Sequence, residues 1–179
     1  DPLRLRFELL NNERNTELYR GDPLAPVTYR PDVLFAMVMM ANPLGWFEAS
    51  SLSDAWFATL PPLVSRWKET RDRRSSCVIL PVGEEPDGWG ISGFLVVDAE
   101  NRLAEALFFR GAGAVGSATI PLPAGVVAPA GDGGTAGAAR AAGFGARVLE
   151  VIAGAGSVRV AGDLLDVRLP EQRSFVWLG

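Results

Sequence analysis

The sequence predicts two strand–helix units followed by an all-β antiparallel sandwich. Three observations carry that expectation. Leu3, Leu5, Phe7 and Leu9 alternate with Arg4, Arg6 and Glu8, the period of a strand, and an apolar helical run follows. Residues 1–74 hold two of the 20 glycines, Gly21 and Gly45; residues 75–179 hold the other 18. Beyond residue 75, short apolar runs recur between Gly- and Asn/Asp-containing turns, the spacing of a sandwich. The composition shift places a boundary at Arg74-Ser75, giving segments 1–74 and 75–179.

In the first segment the strand 3–9 leads into a polar stretch, 11–30, broken by Gly21, Pro23 and Pro26. Pro31 suits the first position of a helix, because its missing N–H is not needed there, and Asp32 favours the first turn. The predicted helix 31–41 is apolar on nearly every side and must be covered. Residues 44–49 read as a short strand. Ser53 is a candidate N-cap, supported by Asp54, for a second helix. Trp56, Leu60, Leu63 and Trp67 fall on one face of that helix. Pro61-Pro62 should kink or restart it. Arg66, Lys68, Arg71, Arg73 and Arg74 crowd its end, where the helix dipole favours cations.

In the second segment, strands are expected at 77–82, 90–97, 103–110, 118–122, 147–153, 157–160, 164–169 and 174–178. Turns are expected at 98–101, 154–156 and 162–163, and a long Gly/Ala-rich loop at 129–145.

Composition removes whole classes of function. Histidine is absent, so no Ser-His-Asp triad, Cys-His pair or imidazole metal ligand is available. The single cysteine, Cys77, excludes an internal disulfide or a cysteine-built zinc site, and it leaves the compartment open. No metal and no cofactor is expected. Net charge is −4 with a pI near 4.9, so nucleic acid is not an expected partner. The longest apolar run, 33–41, is nine residues, and a membrane span needs about 20. No membrane partner is expected. No apolar core follows a basic N-terminus, and the opening Asp1-Pro2 reads as a fragment or a processed chain.

Two strand–helix units cannot cover a parallel sheet or close a barrel by themselves. The first segment therefore resembles the last strand–helix units of a TIM-type (β/α)₈ barrel that continues into the β domain. Three stretches carry a family resemblance: FELLNNERN at 7–15, YRGDPLAP at 19–26 and LFAMVMMANPLGWFEASSL at 34–52, with the closing SFVWLG at 174–179. They are similar to the C-terminal part of the α-galactosidase-like (melibiase) glycoside hydrolases, in which a catalytic barrel precedes an antiparallel β domain. The resemblance implies a carbohydrate substrate and, as a partner, the remainder of the barrel. It covers about 50 residues by motif. Retaining hydrolysis requires two carboxylates roughly 5 Å apart. The family carries them on earlier barrel strands, so no catalytic residue is assigned here. The chain is expected to supply part of the sugar-pocket wall and a supporting domain.

Five residues are candidates for substrate binding. Trp46 and Glu48 lie at the end of the strand predicted at 44–49, where a ring can stack on a sugar face and a carboxylate can accept hydroxyl hydrogen bonds. A core tryptophan and an arginine-paired glutamate are the competing reading. Asn11, Asn12 and Glu13 follow the first strand and suit hydroxyl recognition, or a solvated turn. The alternative function is a non-catalytic β-sandwich module that binds carbohydrate or a protein.

Three further patterns are weak. Gly111, Gly113 and Gly116 spell G-x-G-x-x-G with Asp132 downstream, but the following residues contain Pro121 and Pro123 and read as strand, not helix. Glu84, Glu85 and Asp87 fit a solvated turn better than a calcium loop. Cys77 reads as a buried small residue.

Overall fold

The computed structural model describes residues 4–45, 52–126 and 149–179. The order is β1 (Arg6–Leu9), α1 (Pro31–Val38), β2 (Asn42–Gly45), α2 (Asp54–Thr70), β3 (Val78–Gly83), β4 (Ile91–Val97), β5 (Leu103–Arg110), β6 (Ser117–Pro121), β7 (Val151–Gly154), β8 (Ser157–Ala161), β9 (Leu164–Arg168) and β10 (Ser174–Leu178). These strands form three sheets. β1 and β2 pair in parallel. β3-β4-β5-β10-β7 form a five-stranded antiparallel sheet, and β6-β9-β8 a three-stranded one.

The five-stranded sheet lies at the centre, which is why its inner strands are apolar on both faces: β10, Ser-Phe-Val-Trp-Leu, is buried throughout. One face sends Leu95, Phe108, Val176 and Leu178 against Ile120, Leu165 and Val167 of the three-stranded sheet. The other sends Ile79, Val96, Leu107, Phe175 and Trp177 against Phe35 and Met39 near α1 and Trp56, Leu63 and Trp67 of α2. A bulge opposite Val96 and Val97 passes over Ala104, so Glu105 and Leu107 share the helix-facing side while Leu103 turns to the sandwich side.

That arrangement corrects the expected fold class. Among the described residues the chain is mostly β, ten strands in three sheets with one long helix, and it is not an α/β fragment of a TIM-type barrel. Barrel helices cover parallel strands, whereas α2 places Trp56, Leu63 and Trp67 in the same core as the antiparallel sheet. The β-rich second segment fits its expected antiparallel strands. Core residues come from both sides of the Arg74-Ser75 boundary.

Local details differ as well. α1 ends at Val38, and Met37 beside its end is exposed, so the helix is covered on fewer sides than its composition suggests. β2 begins at Asn42, directly after the turn that closes with Ala41 N–H donating to Val38 O. α2 runs unbroken over Pro61 and Pro62. The carbonyls four residues back, which lose their N–H donors, belong to Phe57 and Ala58, both exposed. The loop expected at 129–145 lies outside the described residues.

Candidate functional site

The parallel register sets Leu9 opposite Gly45, so the chain leaves β1 and β2 at the same end of the pair. In α/β sheets the carboxyl ends of parallel strands are where ligands sit. At this end Asn11, Asn12 and Glu13 form a tight turn, with the Glu13 N–H donating to Asn11 Oδ1 at 2.9 Å. Trp46 and Glu48, the other two candidates, lie outside the described residues.

Asn12 is buried. Its Nδ2 donates to Pro26 O at 3.0 Å and Tyr29 O at 2.9 Å, and its Oδ1 accepts from Trp56 Nε1 at 3.2 Å. The amide thus cross-links the 26–29 turn to α2, and its carbonyl and amino ends are both engaged within the protein. Glu13 reaches the start of α2: Oε2 accepts from Ser53 N–H at 2.7 Å and Oε1 from Ser53 Oγ at 2.6 Å. Ser53 occupies the N-cap, as expected, but makes no capping bond with its own side chain. The carboxylate from the end of β1 supplies that negative charge instead, at the positive end of the helix dipole. Arg4, Arg6 and Glu8 are exposed.

The remaining patterns resolve into scaffold. The Gly111–Gly116 stretch enters a strand, and its first three N–H groups are taken: Gly111 by Gly90 O, Ala112 by Gly88 O, Gly113 by Trp89 O. A Cβ at Gly111 would fall 2.1 Å from Gly88 O, and one at Gly113 2.4 Å from Trp89 O. Glycine is required by this close backbone approach, not by a phosphate. Arg110 completes the clasp, donating to the carbonyls of Gly113, Ala114, Leu169 and Pro170. Asp132 lies outside the described residues. Asp87 Oδ1 accepts the N–H groups of Trp89 and Gly90, which hold its carboxyl below the usual value. Cys77 is half-buried, and desolvation pushes its thiol up. Among the described residues no group of three His, Cys, Asp or Glu could hold a metal.

No family model, curated protein or solved structure matches this chain.

Sequence reasoning did not single out two features. The first is the buried trio of Arg74, Glu105 and Trp177, in which Glu105 Oε2 accepts from Arg74 Nη2 at 2.6 Å and from Trp177 Nε1 at 3.0 Å. Its only sequence signal is a lone acid inside the apolar run Leu103–Arg110. The second is a cavity of about 510 Å³ at the other end of the β1–β2 pair, bordered by Leu5, Met40 and Ala41 and by the β3–β4 turn. Among the described residues, no helix is long and apolar enough to cross a membrane.

Proposed function

We propose that this chain is a non-catalytic, carbohydrate-facing part of a glycoside hydrolase resembling the α-galactosidases. It forms part of the sugar-pocket wall, and the antiparallel sheets behind it are its support. One observation carries the reading: the parallel pairing of β1 and β2 brings the Asn11–Glu13 turn and the chain after Gly45 out at one end, with Glu13 bonded across to Ser53. Trp46 follows Gly45 directly in sequence, and Glu48 comes two residues later. The tryptophan ring stacks on the sugar and the carboxylate accepts its hydroxyls, while Asn12 and Glu13 hold the wall in place. The hydrolytic carboxylate pair belongs to residues outside this chain.

The competing β-sandwich reading needs an aromatic platform on the sheets. Among the described aromatic residues of 75–179, Trp89 alone is exposed, and one ring at a turn is not a platform.

Titration of the ¹⁵N-labelled chain with methyl α-galactoside tests the proposal. The amides of residues 11–15 and 45–53 should shift, with a Kd on the order of mM. Glu48→Ala should abolish those shifts without lowering the unfolding midpoint. Shifts that are absent or confined to 75–179, or hydrolysis of an aryl α-galactoside by the pure chain, would refute it.

A further inference from the structure

The cavity of about 510 Å³ lies at the amino ends of β1 and β2, away from the sugar-facing end, and the ligand it would take is independent of the sugar reading. Its size is that of a small-molecule site. Its walls are apolar: Leu5 just before β1 and Phe7 on it, Met37 and Met40 near the end of α1, and Phe94 and Phe109 from the helix-facing side of the central sheet. Leu5, Phe7 and Met37 are 53%, 48% and 42% exposed, an apolar surface left open to water.

Acidic side chains outnumber basic ones in the cavity lining: Glu84, Glu85 and Asp87 against Arg110. Among the described residues neither the Glu84 nor the Glu85 carboxylate has a hydrogen-bond or ion-pair partner. Asp87 is engaged by the Trp89 and Gly90 N–H groups. Arg110 is the one cation among the described lining residues. Its Nε donates to Gly113 O, its Nη1 to Leu169 and Pro170 O, and its Nη2 to Gly113 and Ala114 O. A guanidinium has five N–H groups, so none remains for a ligand anion.

We propose that this cavity binds a small amphipathic organic cation, its apolar body between Phe7, Met40, Phe94 and Phe109 and its ammonium at Glu84 and Glu85. An anionic ligand would meet the carboxylates of Glu84, Glu85 and Asp87 and find no free N–H on Arg110. A neutral one would gain the walls alone.

Three matched probes separate these cases: n-octylammonium, octanol and octanoate. The methionine methyl groups report the location, because Met37 and Met40 line the cavity whereas Met39 is fully buried elsewhere in the core. Octylammonium should shift the Met37 and Met40 ¹³C-methyl signals more than that of Met39, and should bind at least about tenfold more tightly than octanoate. The double variant Glu84→Gln/Glu85→Gln should weaken octylammonium binding about fivefold or more and leave octanol unchanged. Both positions are exposed, so an unchanged unfolding midpoint confirms that the variant is folded. Octanoate binding as tightly as octylammonium, equal loss for octanol, shifts centred on Met39, or no saturable binding would overturn the proposal.

Discussion

Arg74 donates to Glu105 Oε2 through Nη2 at 2.6 Å and Nε at 3.1 Å, and neither side chain is more than 4% exposed. The same guanidinium lies over the Trp177 ring, 5.3 Å from its centroid, and donates to Thr70 Oγ1 at 2.8 Å. This pair ties the turn after α2 to the middle of the central sheet. Removing one partner leaves the other charge buried and unpaired, which typically costs about 3–5 kcal/mol. Arg74→Met should therefore destabilise by about that amount in urea unfolding. Arg74→Met/Glu105→Leu should recover part of the loss, leaving about 1–3 kcal/mol for the Trp177 N–H that has lost its acceptor. A double variant as unstable as the sum of its singles would show that the two side chains are not coupled.

Asn12 joins three backbone and side-chain partners through one buried amide. Asn12→Ala should destabilise the chain by about 2–3 kcal/mol, because the Trp56 N–H and two carbonyls lose their partner together. Thermal unfolding reads this directly. Weaker sugar binding with an unchanged midpoint would instead make Asn12 a ligand contact.

Gly111 carries no side chain because Gly88 O would stand 2.1 Å from its Cβ. Backbone on both sides of that contact is hydrogen-bonded and cannot yield. Gly111→Ala should cost about 2 kcal/mol or more. Gly162 has φ +67° and open space around it, so Gly162→Ala should cost only the backbone strain, about 1 kcal/mol. Equal midpoints for the two variants would remove the steric argument.

Asp87 accepts two backbone N–H bonds more strongly when ionised, so its folded pKa lies below the ordinary 3.8. The sign follows from linkage: the contribution is fully present above 3.8 and is lost as pH falls through the depressed folded value. The Trp89 and Gly90 amide shifts should therefore titrate with a midpoint below 3.8. Asp87→Asn should flatten that titration. Movement centred above pH 4 would show that the bonds do not select the ionised form.

Much of the secondary structure was legible in residue order. Alternation located β1, the helical spacing of Trp56, Leu60, Leu63 and Trp67 located the buried face of α2, and turn residues bounded the strands from β3 to β10. Pro61-Pro62 does not restart the helix, which runs continuously from Asp54 to Thr70. The candidate site was legible as a turn after β1, but not in the roles of its side chains. Asn12 and Glu13 are polar residues that suit hydroxyl recognition or a solvated turn, and their bonds to Trp56 and Ser53, more than 30 residues away, are not readable from local sequence.

The sequence by itself determined what chemistry is excluded, since no histidine and one cysteine cannot be changed by folding, and it determined local periodicity, since that depends on neighbours a few positions apart. Which surface each apolar face covers was decided only in three dimensions. α1 and α2 could have lined a parallel sheet; they lie on the antiparallel one because β10, the last strand, inserts beside β5 and presents Phe175 and Trp177 to them. The Arg74–Glu105 pair, the Arg110 clasp and the acid-mouthed cavity have the same origin. Each is made of residues remote in sequence, whose meeting depends on burial and backbone hydrogen bonding across the whole chain rather than on any local pattern.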